Sequence, residues 1–169
     1  MSYSDDMLVT KEYTKCNIFI SKITIRNQKI CKEPMNVVAI RLKPNEDLRQ
    51  TLKNFALNQN IKAGFILTAI GSLKQATIRF ANQEISTVLT DKFEILSLNG
   101  TIANTGVHLH IAIADQQGKT IGGHLDDGCI IYTTAEIVIG IAEDFTFLRT
   151  IDEQTGYKEL EIIPNLRLT

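Results

Sequence analysis

The chain has 169 residues, a length that fits one domain with a short extension. Its 44% hydrophobic and 22% charged residues are ordinary values for a globular protein, and a chain of this length needs no disulfide framework to bury a core. The net charge of −1 argues against broad attraction to a phosphate backbone, because such attraction normally requires a basic face.

The start of the chain is predicted to be an N-terminal extension, residues 1–33, that precedes a main domain over residues 34–169. Its first ten residues are polar and lack the basic and apolar regions of a signal peptide. Partial alternation of isoleucines over residues 16–30 indicates a strand or a hairpin. The proline-containing segment 32–34 interrupts this pattern and is the expected boundary.

The cysteines are Cys16, Cys31 and Cys129. Their number is odd and no pair has C-x-x-C spacing, so the pattern favours reduced thiols in a cytoplasmic protein over disulfides or a thiolate zinc site. Apolar runs such as Ile137–Ala142 are far too short to cross a bilayer, so no membrane contact is expected.

One helix is predicted after a strand over residues 37–42. Asn45 is the candidate cap, and the acids that follow it favour a first helical turn. An apolar stripe at i, i+4 and i+7 follows at Leu48, Leu52 and Phe55. The helix is therefore expected over residues 45–58.

The rest of the chain reads as short strands separated by turn residues. The predicted strands cover residues 64–70, 76–81, 85–89, 93–100, 107–114, 119–124 and 129–141, and a last strand over 160–163 is expected to close the sheet. A bend is predicted at Gly71-Ser72 and a turn over residues 115–118. Short strands with tight turns and one or two helices indicate an α+β fold with a mainly antiparallel sheet.

The three histidines of the chain fall in one predicted hairpin. His108 and His110 are separated by one residue in a strand, so they project from the same face, about 7 Å apart. His124 lies in the next strand, after the predicted turn.

The register of that hairpin decides whether the histidines meet. Paired residue numbers that sum to 234 place His124 opposite His110, and a sum of 232 places it opposite His108. Both registers put the three rings on one face. An odd sum puts His124 on the other face unless a bulge intervenes, and Gly122-Gly123 fits either a bulge or a close backbone approach.

Three neutral imidazoles on one face predict a site for one divalent metal ion, and zinc is the expected ion. Three protein ligands leave the fourth tetrahedral position for water or substrate, as in catalytic zinc sites. The competing interpretation is two surface histidines and one loop histidine without a shared ion.

Several sequence blocks carry a resemblance to a known family. They are Arg41–Leu48, Ile70–Leu73, Phe93–Gly100, Gly106–Ile111, Gly122–Leu125 and Tyr132–Ile137. In this order they resemble the plant and prokaryote conserved (PPC) domain family, and the resemblance covers about residues 35–163.

The resemblance implies a mainly antiparallel sheet with helices, usually assembled as a homotrimer. It implies zinc binding through the H-x-H and G-G-H-L blocks, which correspond here to His108, His110 and His124. Plant members join the domain to AT-hooks that bind DNA. This chain has no Arg-Gly-Arg-Pro hook, and Asp91-Lys92 replaces the Gly-Arg that often precedes Phe-Glu-Ile-Leu.

Three carboxylates are further candidates. Glu136 lies in an apolar strand, where a buried carboxylate acts as a general base or holds a histidine, or instead pairs with Arg41 or Arg149 or across a subunit interface. Asp126 and Asp127 follow His124 closely, so either can orient a histidine or act on metal-bound water, or simply belong to a solvated turn.

Two function classes follow from these residues. The first is a trimeric, metal-containing binding module with a regulatory or ligand-sensing role, for which a small-molecule ligand and nucleic acid are both candidate partners. The second is a small-molecule metalloenzyme, a hydrolase or lyase that uses zinc-bound water, with Glu136 and Asp126 as catalytic candidates.

Overall fold

One helix and nine strands make up the described structure. A computed structural model describes residues 35–165. In chain order its elements are β1 (Asn36–Leu42), α1 (Leu48–Asn58), β2 (Gly64–Arg79), β3 (Thr87–Leu89), β4 (Phe93–Ala103), β5 (Gly106–Ala114), β6 (Thr120–Leu125), β7 (Ile130–Ile141), β8 (Phe145–Ile151) and β9 (Lys158–Pro164). The interpretations made for residues 1–34, including a strand and two cysteines, lie outside the described residues.

Seven strands form one sheet in the order β1-β7-β2-β4-β5-β6, with β3 paired to β2. All of its pairings are antiparallel, and the described residues contain one α-helix, so the predicted mainly antiparallel α+β fold is confirmed. Strand β6 also pairs with β2, so β2, β4, β5 and β6 form a closed circuit of hydrogen-bonded neighbours.

The helix begins three residues later than predicted. Its cap is Asp47, whose Oδ1 accepts a hydrogen bond from the backbone N–H of Gln50 at 2.9 Å, whereas Asn45 has a positive φ of 73°. Asp47 Oδ2 also accepts from the backbone N–H of Gly128 at 2.6 Å, so the start of the helix is tied to the segment before β7. The buried face of α1 consists of Leu48, Leu52 and Ala56.

The predicted bend at Gly71-Ser72 does not end the strand, because the 16-residue strand β2 runs through it; the pairing with β7 is irregular between Gly71 and Leu73. Gly71 has a φ of 144°, and a Cβ at this position would lie 2.2 Å from the carbonyl oxygen of Thr134. The glycine therefore permits the close approach of β7 and does not form a turn.

The predicted last strand exists, but it does not close the main sheet. Strand β9 pairs with β8, which the sequence pattern did not reveal, and the two strands form a separate two-stranded sheet. This hairpin lies against the turn between β4 and β5, since Thr105 Oγ1 donates to the carbonyl oxygen of Phe147 at 3.0 Å.

Cys129 is a free thiol in the core, as the sequence predicts. The backbone N–H of Thr77 donates to its sulfur at 3.2 Å, and burial raises the pKa of the thiol to about 12. No helix within residues 35–165 combines the length and apolar character that crossing a bilayer requires.

Candidate metal centre

The three histidine rings converge on one face of the β5–β6 hairpin. His110 lies directly opposite His124, which confirms the register whose paired numbers sum to 234. The ring centroids are 5.1 to 5.6 Å apart. Each ring offers one nitrogen, and these three nitrogens lie within 4.8 Å of one another, so the residues can hold one metal ion.

The side-chain alternation of β5 produces this arrangement. Leu109, Ile111 and Ile113 are buried in the core, so His108 and His110 must face the other way. The turn that returns the chain is closed by Asp115, whose Oδ1 accepts from the backbone N–H groups of Gln117 and Lys119, both at 2.9 Å.

Two glycines bring β6 close to its neighbours on both sides. A Cβ on Gly122 would lie 2.5 Å from the carbonyl oxygen of Ile111, and a Cβ on Gly123 would lie 2.6 Å from that of Arg79. The β5–β6 register has no shift, so the glycines serve the close backbone approach and not a bulge.

His124 has one ring nitrogen without a hydrogen-bond partner. Its Nδ1 is buried and unpaired, while its Nε2 lies 3.7 Å from Asp126 Oδ1. Burial lowers the pKa of His124 to about 4, against the opposing effect of Asp126. The ring is therefore neutral near pH 7, and an orphaned lone pair beside two other imidazoles fits a metal ligand.

His108 has a cationic neighbour. Its Nδ1 lies 3.3 Å from Nη1 of Arg149, and the guanidinium Nη2 donates to Thr101 Oγ1 at 2.5 Å. Because a guanidinium can only donate, His108 accepts this hydrogen bond. Burial and then the charge of Arg149 lower the pKa of His108.

Arg149 is the site residue that the sequence analysis missed. The sequence suggests it only as an ion-pair partner of Glu136, but it lies on β8 and contacts His108. It stands 41 residues from His108 in the chain, and no local pattern signals that contact.

The three candidate carboxylates have different surroundings. Asp126 faces His124 through Oδ1 and accepts a hydrogen bond from Ser86 Oγ through Oδ2. Asp127 instead pairs with Arg49, with 2.6 Å between Oδ1 and Nη1.

Glu136 is exposed on β7, so the expectation of a buried carboxylate is wrong for this chain. Arg41 occupies the opposite position on β1, but its Nε donates to Thr134 Oγ1 at 3.0 Å. Strand β7 borders neither β5 nor β6 in the sheet order, so the fold does not bring Glu136 to the histidines.

A cleft of about 750 Å³ adjoins the centre, with His108 and His124 in its wall. Five basic side chains also line it, and they come from α1, β2, β8 and β9. They are Arg49, Lys53, Arg79, Arg149 and Lys158. Two acids, Glu84 and Glu159, lie among them.

Comparison with known proteins identifies the family. The Plants and Prokaryotes Conserved domain matches residues 30–143, and the chain belongs to this family. The resemblance stated from the sequence blocks is thus confirmed. The β8–β9 hairpin lies beyond the matched residues.

The chain is also similar to individual proteins. It is 49% identical over 137 residues to the bifunctional protein GlmU of Synechococcus sp. (strain JA-3-3Ab), an alignment that covers 81% of this chain and 22% of the relative. The chain therefore spans about a fifth of that relative's length.

Three solved structures share the fold. A hypothetical protein from Salmonella enterica is 39% identical, with a TM-score of 0.77 over 80% of this chain and 99% of the other. The metal-containing protein AF0104 from Archaeoglobus fulgidus is 26% identical, with a TM-score of 0.66 over 79% and 99% of the two chains. A protein from Bacteroides thetaiotaomicron, whose description suggests DNA binding, is 24% identical, with a TM-score of 0.66 over 77% and 94%.

Proposed function

We propose that this chain is a binding module that holds one divalent metal ion, zinc, through His108, His110 and His124. The observation that carries the proposal is the convergence of the three histidines, whose ligand nitrogens lie within 4.8 Å of one another. His124 also has a buried Nδ1 without a hydrogen-bond partner. An unpaired buried polar atom is costly, and a metal ion offsets that cost. Support also comes from the Archaeoglobus neighbour, which is described as metal-containing.

The surroundings of the histidines favour binding over catalysis. A zinc ion held by three histidines supplies Lewis-acid chemistry and one free ligand position. The nearest carboxylate, Asp126, already has His124 beside one oxygen and the Ser86 hydroxyl on the other. Such a carboxylate orients a histidine more readily than it moves a proton, so the metalloenzyme is the second interpretation.

The exposed apolar residues of the sheet support the homotrimer that the family resemblance implies. Leu67, Ile70, Leu96 and Tyr132 are 39 to 58% exposed and come from the neighbouring strands β2, β4 and β7. Apolar side chains grouped on one sheet are typical of a protein–protein interface. Part of this module's function is therefore assembly into an oligomer. The cytoplasmic location is a separate prediction, which rests on the reduced thiols.

Nucleic-acid binding is a second candidate, favoured by the five basic side chains of the cleft and by the description of the Bacteroides neighbour. The net charge of −1 and the acids in the same cleft oppose it. A mobility-shift assay with duplex DNA at about 50 and 200 mM salt tests it, since phosphate contacts weaken steeply over that range. Absence of a shift at the lower salt concentration would exclude this candidate.

Metal analysis of the purified full chain tests the main proposal. His110→Ala is the informative variant because His110 is exposed and its loss leaves the core intact. Asn99→Ala is the matched control, since Asn99 is exposed and lies directly opposite His110 on β4. We expect stoichiometric zinc in the wild type and in Asn99→Ala, and little in His110→Ala. A wild type that takes up no stoichiometric transition metal when supplied with it would overturn the proposal.

A further inference from the structure

Arg149 is a half-buried cation without an acidic partner at contact distance. Within residues 35–165 the ion pairs closer than 4 Å are Arg49–Asp127 and His124–Asp126, and neither includes it. Its donors instead reach His108 Nδ1 and Thr101 Oγ1. Burial lowers the pKa of Arg149, and the negative charge of Glu159 offsets this in part. A partly buried charge in this state is stabilised by a counter-ion.

This inference rests on the proposed metal binding, which increases the need for a counter-ion beside Arg149. A ligating histidine must present a bare ring nitrogen to the ion. If that nitrogen is Nδ1 of His108, the ion displaces the Arg149 donor. If it is Nε2, the proton moves to Nδ1 and two donors face each other. In both cases the Nη1 group of Arg149 loses its present acceptor.

The charge balance of the loaded centre points to an anion. Three neutral imidazoles leave the double charge of the ion uncompensated, and Arg149 adds a further positive charge. Arg79 is also close, since it lies directly opposite His124 in the β2–β6 pairing and lines the same cleft. Two carboxylates, Asp126 beside His124 and Glu159 in the cleft wall, offset only part of this positive charge.

We propose that the cleft beside the metal centre binds a small molecule through a carboxylate or phosphate group that accepts hydrogen bonds from Arg149. The planar guanidinium is suited to such groups because it donates two parallel hydrogen bonds. The same oxyanion can occupy the ligand position that three histidines leave free.

The size and charge pattern of the cleft favour a small molecule over a nucleic acid. Its volume of about 750 Å³ lies within the range of roughly 300–1,000 Å³ that is common for small-ligand sites. Glu84 and Glu159 line the same walls, and Asp127 neutralises Arg49. These acids repel a long polyanion but leave room for a single oxyanion beside Arg149.

The hairpin that supplies Arg149 lies outside the matched family segment. Strands β8 and β9 also bring Lys158 and Glu159 to the cleft, whereas the histidines lie within residues 30–143. The cleft is thus built partly from the matched family segment, which supplies the histidines, and partly from the hairpin, which supplies Arg149.

Cobalt-loaded full-length protein provides a test without an activity assay, because the visible absorption bands of Co²⁺ change when its ligands change. Acetate and inorganic phosphate are titrated separately at constant ionic strength, which distinguishes the two oxyanion classes. The variants are Arg149→Gln and Arg149→Lys. Arg41→Gln is the control, since it makes the same chemical change on β1, which does not line the cleft.

We expect at least one oxyanion to shift the cobalt bands saturably in the wild type and in Arg41→Gln. Arg149→Gln should bind that oxyanion at least about 10-fold more weakly, as expected for loss of a charge-assisted hydrogen bond, and Arg149→Lys should recover part of the loss. All variants should still bind one equivalent of cobalt in the absence of the oxyanion.

Three outcomes would overturn the inference in distinguishable ways. If the wild type binds stoichiometric cobalt but its absorption bands respond to neither oxyanion, an anion at the centre is excluded. Equal oxyanion affinity in the wild type and Arg149→Gln excludes the role of Arg149. Displacement of the oxyanion by a short DNA duplex makes nucleic acid the occupant. If the wild type takes up no stoichiometric cobalt, the metal proposal fails and this inference fails with it.

Discussion

Asp126 Oδ1 lies 3.7 Å from Nε2 of His124, while the other nitrogen of the same ring is buried and unpaired. One ring thus has a carboxylate on one side and an unpaired nitrogen on the other. At this distance the negative charge of Asp126 favours a proton on Nε2, which leaves Nδ1 able to bind a metal ion.

Replacing Asp126 should therefore weaken metal binding without abolishing it. We expect Asp126→Asn to lower zinc affinity by roughly 10–100-fold, the usual effect of removing such a partner, as measured by competition with a chromophoric chelator. Asp127→Asn is the control, because the neighbouring carboxylate pairs with Arg49 and should leave zinc affinity unchanged. Equal losses in both variants would show that only the local negative charge matters.

The metal-free protein should lose stability as the pH falls from about 6.5 to about 4. Burial lowers the pKa of His124 from 6.5 to about 4, so in this window the unfolded chain binds a proton that the folded chain does not. This contribution of His124 to the free energy of unfolding is present above pH 6.5 and is lost as the pH falls toward 4. After a discount for the exposed 20% of the side chain, it amounts to about 1–2 kcal/mol.

Thermal unfolding in the presence of a chelator measures this effect. The difference between the Tm values at pH 7.5 and pH 4.5 should be smaller in His124→Gln than in the wild type, because the variant has no imidazole there. His108 should contribute in the same direction, since its pKa is also lowered by burial. Parallel pH profiles for the two proteins would contradict the prediction.

The close approach of β6 to β2 should make Gly123 sensitive to substitution. Gly123→Ala places a methyl group 2.6 Å from the carbonyl oxygen of Arg79, so β6 must move and His124 moves with it. We expect a loss of roughly 1–3 kcal/mol in the free energy of unfolding and weaker zinc binding.

Gly118→Ala is the control for that experiment. Gly118 lies in the hairpin turn with a φ of 78° and no atom within 4 Å of an added Cβ, so its cost of roughly 1–2 kcal/mol comes from the backbone conformation alone. The two stability losses overlap, and zinc affinity is the deciding measurement. It should fall only in Gly123→Ala, and unchanged affinity there would mean that β6 accommodates the methyl group.

A charge on the exposed sheet should disrupt the proposed trimer. Ile70 is 58% exposed on β2, so Ile70→Lys should leave the isolated chain folded but place an ammonium group in an apolar interface. Light scattering after size-exclusion chromatography should then report a monomer. Ile85→Lys is the control, because Ile85 is 82% exposed and lies outside the strands. A wild-type monomer would exclude the trimer.

Local patterns were sufficient to predict the parts of the site that depend on strand geometry. The alternation of β5 placed His108 and His110 on one face, and the turn brought His124 back to them. The sequence could not decide between the two registers whose paired residue numbers sum to 232 or 234, because both bury the same apolar residues.

Features that depend on distant contacts were not predictable. The helix is capped by Asp47 and not by Asn45, and the second bond that Asp47 accepts, from Gly128, joins residues 81 positions apart. Glu136 lies in an apolar sequence, yet its face of β7 is exposed in the single chain. Arg149 reaches His108 through a hairpin whose packing no short-range pattern encodes.

The double pairing of β6 has a consequence for how the centre is loaded. With β5 on one side and β2 on the other, the backbone at His124 is held by two ladders of hydrogen bonds. The imidazoles therefore come together when the chain folds, without a metal ion to gather them. Unlike a zinc finger, whose folding waits for its metal, the proposed centre is expected to release its ion while the fold stays intact.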